Sequence, residues 1–149
     1  QLAGQLMALP APNAFGASLL TRAHLEEVEH VPVSAVYVRT HTNAYRHTLM
    51  GLSAATGGVR ATLEREPPEV QAGLRILLET RGAAPHPLSA HPRLSAELRE
   101  RIRAAWLAMA SEPAMQDSLR AVPMARPVAA DQARDYEPLA RLRLDRYAE

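Results

Sequence analysis

The chain has 149 residues, no cysteine and a formal net charge of +1, enough length for one sizeable core but with disulfides and cysteine-based metal or redox chemistry excluded. Its 17 basic residues, all arginine, are matched by 16 acidic ones, and without a basic excess the chain is not expected to bind nucleic acid by charge. No apolar run approaches the ~20 residues of a membrane span, and an opening on Gln1-Leu-Ala-Gly, with neither initiating Met nor signal segment, reads as the back part of a longer protein.

Leu6–Leu9 is an apolar strand candidate. Pro10-Ala-Pro-Asn follows, with Asn13 placed as the N-cap of a helix over 14–29 that carries Phe15, Leu19, Leu20, Ala23 and Val28 at helical spacing. The first turn of such a helix has N–H groups without partners and a positive dipole end, so a phosphate-like anion sits there readily. Ser34–Arg39 is β-branched and aromatic and predicts a second strand. Thr42 or Asn43 caps a helix reaching about Ala55, with Tyr45, Leu49 and Leu52 along one side. Gly57-Gly58 then reads as a helix C-cap and turn, and Val59 opens a short strand. Glu66-Pro-Pro-Glu starts a short helix or turn, and Leu74–Thr80 is predicted as a third good strand. Strands alternating with helices make this front part α/β.

From Gly82 the prolines at 85, 87 and 92 force an extended path. Helix resumes at Ser95, with Leu98, Ile102, Trp106 and Met109 as one apolar stripe. Glu112-Pro-Ala begins a shorter helix to about Ala121, a loop holds Pro123 and Pro127, and Asp131 caps a last helix with apolar contacts from Tyr136, Leu139, Leu142 and Leu144.

Five segments in this order, Pro12–Leu20, Tyr37-Val-Arg-Thr-His-Thr-Asn-Ala-Tyr, Ala55-Thr-Gly-Gly-Val, Thr80–Leu94 with its helix, and Asp135-Tyr-Glu-Pro-Leu, resemble the phosphate/phosphite/phosphonate substrate-binding proteins of ABC transporters. The resemblance implies the type 2 periplasmic-binding-protein fold, an α/β architecture of two lobes that close on a ligand, with this chain matching the C-terminal half or slightly more. Residues 1–82 would be the second lobe, a three-layer α/β/α arrangement on a mixed sheet. Residues 83–94 would be an extended crossover, and 95–149 a C-terminal helical segment, the first lobe being largely missing. It also implies ligand positions. The family's Ser-Thr-Ser run before a glycine corresponds here to Asn13, Ala14 and Phe15, which keeps the backbone donors and loses hydroxyls; Ser18 restores one if it faces the cleft. His41 matches the family's histidine after the second strand, Tyr45 would line the cleft, and His86 stands where relatives often carry an Asp. That last departure argues against an aminophosphonate and toward a simpler anion, or a different ligand altogether.

The resemblance implies a periplasmic or extracellular, membrane-tethered location, a small oxyanion ligand, a membrane permease as partner and no cofactor. An extracellular sensing domain of a signalling protein is the alternative use of the same fold. The six histidines do not share faces at metal-ligand spacing, and neither a Gly-x-Ser-x-Gly elbow nor a Walker loop points to an enzyme. A chain lacking the first lobe is expected to show weak or undetectable affinity for its anion by calorimetry and to expose apolar helix faces around Trp106, Met109 and Leu139, favouring a homodimer or a domain-exchanged assembly.

Overall fold

The computed structural model describes residues 2–122 and 126–148; Pro123, expected in a loop, lies outside the described residues. The chain divides into two compact units, Gln1–Ala83 with Leu139–Glu149, and Ala84–Pro138.

In the first unit, β1 (Leu6–Leu9), β2 (Ser34–Tyr37) and β3 (Ala55–Thr56) form a parallel sheet in the order β2-β1-β3. β1 is the central strand, with Leu9 opposite Tyr37 on one side and Ala8 opposite Thr56 on the other. Met7, Ala8 and Leu9 are buried; a strand covered on both faces has no need of polar alternation, which is why it reads as a plain apolar run. Met7, Leu9, Leu25 and Ala55 form one core cluster, with Val33, Ala35 and Leu78 packed against it. Ala23, Leu144 and Tyr147 form a second, joined by Phe15, Leu19 and Leu142. The chain's last described residues thereby become part of this unit: Arg22 donates to the Tyr147 carbonyl at 2.7 Å and to the Tyr37 hydroxyl at 3.0 Å. The Tyr147 hydroxyl and Arg146 both hold the Glu27 carboxylate and depress its pKa, the hydroxyl most strongly.

The helix after β1 starts with a π-helical stretch, Phe15–Leu20, and continues directly as α1 (Thr21–Glu27). Its N-cap is Ala14, with no side-chain hydrogen bond, in place of the expected Asn13. The turn from Ala11 to Ala14 sets the boundary one residue later, and the Ala14 carbonyl accepts from the N–H groups of both Ser18 (2.8 Å) and Leu19 (3.1 Å). Helix α2 (His41–Leu49) is capped by Thr40, whose hydroxyl accepts from Asn43 N–H at 3.0 Å; the expected caps Thr42 and Asn43 lie inside it. It ends well before Ala55 because Gly51, at φ 70°, turns the chain toward β3. Gly57 and Gly58 therefore follow a strand, and the helix-cap reading of them is corrected. Val59 is the N-cap of α3 (Arg60–Leu63), not a strand residue. Pro68 opens the short α4 (Pro68–Gly73) at its first turn, where its missing N–H costs nothing.

The predicted strand Leu74–Thr80 is not formed. Both edges of β1 are occupied by β2 and β3, and residues 74–80 join neither outer strand. Leu78 packs on the core, while Ile76 and Leu77 stay half exposed. A β-favouring composition supplies no ladder unless a partner edge is present. All three strands are parallel, so no antiparallel member of a mixed sheet occurs among the described residues.

In the second unit, α5 (Ala96–Met109) is capped by Ser95, whose hydroxyl accepts from Leu98 N–H at 3.2 Å. Arg103 and Glu100 pair across one turn at 2.7 Å. A 3-10 turn, Pro113–Met115, leads into α6 (Gln116–Ala121), which buries Leu119 completely. Asp131 caps the stretch Gln132–Tyr136 by accepting from Arg134 N–H at 2.7 Å, as the sequence predicted. The Arg134 guanidinium holds the Asp135 carboxyl down at about 2. The chain passes between units within α7 (Glu137–Ala140).

Candidate functional site

Parallel strands bring their carboxyl ends to one edge of the sheet, and with them the loops at residues 10–14, 38–40 and 57–59. The chain leaves β1 toward β2 on one side, and β3 stands on the other. The edge between β1 and β3 is therefore a topological switch point, where open α/β sheets bind ligands.

The first turn of the helix after β1 lies at this edge. The backbone N–H groups of Phe15, Gly16 and Ala17 have no protein acceptor among the described residues. Its position is fixed from the β3 side. A Cβ on Gly57 would collide with the Ala17 carbonyl oxygen and the Leu9 side chain, so only glycine lets the two backbones approach. Gly57 N–H donates to the Ala8 carbonyl at 3.1 Å, and the Thr56 hydroxyl donates to the same oxygen at 3.0 Å. The three side chains expected to frame this turn behave differently. Asn13 is exposed, Ala14 is the cap, and the Phe15 ring packs on the Ala23, Leu144 and Tyr147 cluster, which leaves its N–H as its polar contribution. Ser18 is fully buried, and its hydroxyl has no hydrogen-bond partner.

His41 is the first residue of α2, and its buried Nδ1 has no partner. Burial lowers its pKa, and the Glu66 carboxylate works in the opposite direction. Its ring centroid lies 6.4 Å from that of Tyr45, one turn further on. Tyr45 is 2% exposed. Its hydroxyl is shared with the Thr62 hydroxyl at 2.6 Å and donates to the Val59 carbonyl at 3.4 Å. Burial pushes this phenol's pKa up, so Tyr45 is a neutral, fully committed group that ties α2 to α3. A Cβ on Gly58 would strike its ring. The Thr42 hydroxyl is committed as well, donating to Glu66.

Asn13, Ala14, Phe15 and Ser18 thus belong to one turn and its continuation, and His41 and Tyr45 to the first turns of α2. His86 lies in the second unit, in the proline-fixed segment that lines a groove of about 810 Å³ with His91, Arg99, Trp106 and Arg134. Sequence reasoning missed Thr40 and Gly57. A threonine immediately ahead of the helical run from His41 was a legible capping signal for Thr40. Gly57 gave none, because a close approach between distant backbones leaves no local pattern. Among the described residues no group of three His, Cys, Asp or Glu side chains is placed to hold a metal ion, and no helix is long and apolar enough to cross a membrane.

The family model described as ABC transporter, phosphonate, periplasmic substrate-binding protein matches residues 1–136. No curated protein matches the chain significantly.

Proposed function

The chain belongs to the phosphonate periplasmic substrate-binding proteins of ABC transporters, and from that premise we propose that its first unit holds a small tetrahedral oxyanion, phosphate, phosphite or a simple phosphonate, at the helix start beside Gly57. Membership implies a periplasmic location, a phosphonate-class ligand and a membrane permease in the full system. The observation that carries the reading is the set of unpaired N–H groups at Phe15, Gly16 and Ala17, placed at the switch point of a parallel sheet. Each N–H donated to an anionic oxygen contributes about 1.5–3 kcal/mol.

Around these donors, the Ser18 hydroxyl supplies a fourth once a small shift opens it, and the unpartnered Nδ1 of His41 supplies or accepts one proton. An anion beside His41 favours the imidazolium, reversing the effect of burial. Tyr45 contributes a rigid wall rather than a hydrogen bond. Residues 1–82 serve as the second lobe, completed by the end of the chain from Leu139, with 83–94 as crossover and the helices from 95 onward as the C-terminal segment. Closure on the ligand presents a surface to the permease, and the ligand drives it only as far as it binds the closed form better. Binding and release involve no covalent step.

A chemical-shift titration of the 15N-labelled chain with methylphosphonate, phosphite, phosphate and sulfate tests this. The phosphorus oxyanions are expected to move the amide resonances of residues 15–17 and the His41 ring signals. Shifts confined to other parts of the chain, or none with any of the four anions, overturn the assignment.

A further inference from the structure

Apart from the His41 imidazole, the donors assembled at this edge are neutral N–H and hydroxyl groups, and they balance little of the charge on a doubly ionised phosphonate. Arginines lie on the elements that adjoin it. Arg60, at the start of α3, is paired with Glu79, and Arg22 is spent on the Tyr37 hydroxyl and the Tyr147 carbonyl. Arg39 is different. It sits in the loop that leaves β2, immediately before Thr40 and His41, is exposed, and has no hydrogen bond or ion pair among the described residues.

Its backbone is also unusual. Arg39 has φ 77°, a region that L side chains seldom occupy and that favours glycine. Thr40 N–H donates to the Val38 carbonyl at 3.0 Å, closing a three-residue turn around it; a γ-turn with positive φ at its centre is rare and strained. The strain persists because the flanks fix it. Val38 N–H is held by the Leu9 carbonyl at 2.9 Å, the Val38 carbonyl also accepts from Asn43 Nδ2 at 2.9 Å, and Thr40 is locked as the cap of α2. A glycine would satisfy every one of these bonds without strain. Strained residues held by their surroundings gather at ligand clamps.

We propose that Arg39 is a binding residue for the oxyanion, supplying the counter-charge that selects a dianionic phosphonate over a singly charged one. This rests on the oxyanion site assigned above and adds to it the charge state of the ligand. Guanidinium suits the role because its planar fork matches two oxygens of a phosphonate and stays charged at any working pH.

The test titrates methylphosphonate, above its second ionisation, and its monoanionic monomethyl ester into the chain and into Arg39→Gln and Arg39→Gly, followed by amide chemical shifts. The wild-type chain is expected to prefer the dianion. Arg39→Gln should lower methylphosphonate affinity by about tenfold, the weight of one charge-assisted hydrogen bond, while the ester's affinity changes little, so the preference collapses. Arg39→Gly should lose the same preference and also melt at a higher temperature, since its turn is unstrained. A variant that keeps the wild-type ratio for the two probes overturns the proposal for Arg39 alone. A wild-type chain that binds neither probe overturns the oxyanion site and the Arg39 role together.

Discussion

Replacing Gly57 by alanine tests whether the β3 turn positions the helix start. The added Cβ meets the Ala17 carbonyl oxygen, which is backbone and cannot rotate away, and the side chain of the fully buried Leu9. Overpacking of this kind costs about 1–3 kcal/mol, and with a backbone atom as the obstacle the upper end applies. Urea denaturation should show it as a midpoint lower by roughly 1–2 M, for slopes typical of small domains. Gly16→Ala is the matched control. Its Cβ would lie 3.4 Å from a Val59 methyl, an ordinary contact, and alanine in a helix gains up to about 1 kcal/mol over glycine. The two substitutions, one on the turn after β3 and one on the helix start, are thus expected to shift stability in opposite directions. In Gly57→Ala the methylphosphonate-induced shifts at residues 15–17 should shrink as well, because the helix start is pushed off β3. A Gly57→Ala chain as stable as wild type, with unchanged ligand response, would refute the close-approach reasoning.

Ser18→Ala removes a buried hydroxyl that has no partner, so the chain should be equally stable or more stable by up to about 1 kcal/mol; if the hydroxyl turns to the ligand, anion affinity falls at the same time, and a drop in stability on denaturation would show that it had a partner after all. Burial makes His41 harder to protonate in the folded chain than in the unfolded one. The unfolded state then binds more protons as pH falls through the ordinary imidazole value of ~6.5 toward the depressed folded one, and stability declines over that window. His41→Gln should flatten this decline in denaturation midpoints measured against pH, and an unchanged slope would contradict it. Leu98 and Ile102 on α5 are 40% and 39% exposed, and α5 buries none of its residues. The chain is therefore expected to self-associate through that face, and sedimentation showing only monomer at high concentration would exclude it.

Much of this fold was legible where the signal is local. Leu6–Leu9 reads as a strand because its run is continuous, the helix after Ser95 because its apolar residues keep helical spacing, and Asp131 as a cap because its carboxylate can accept from the N–H groups that follow it. The errors fall where the deciding partner is distant. Leu74–Thr80 has strand composition but no free edge to join. Gly57-Gly58 looks like a helix end, yet its purpose is contact with Ala17 and Tyr45, some 40 and 13 residues earlier in the chain. The end of α2 was placed too late because the left-handed turn at Gly51 was passed over in a sequence whose apolar spacing runs on through Leu52. Arg39 is the extreme case, since nothing in Val38-Arg-Thr announces a positive φ. At the site, the order of the segments led to His41 and to the helix after β1, with its cap expected one residue early at Asn13. The commitment of Tyr45 to Thr62 and the full burial of Ser18 depended on packing that no spacing rule reaches.

The most direct test is whether the amides of Phe15, Gly16 and Ala17 hydrogen-bond to the ligand. In the 15N-labelled chain saturated with methylphosphonate, scalar coupling between these nitrogens and the ligand's phosphorus, with downfield proton shifts at the same three amides, is the predicted result. Ligand-bound spectra in which those three resonances are unmoved and uncoupled, while others respond, would contradict it.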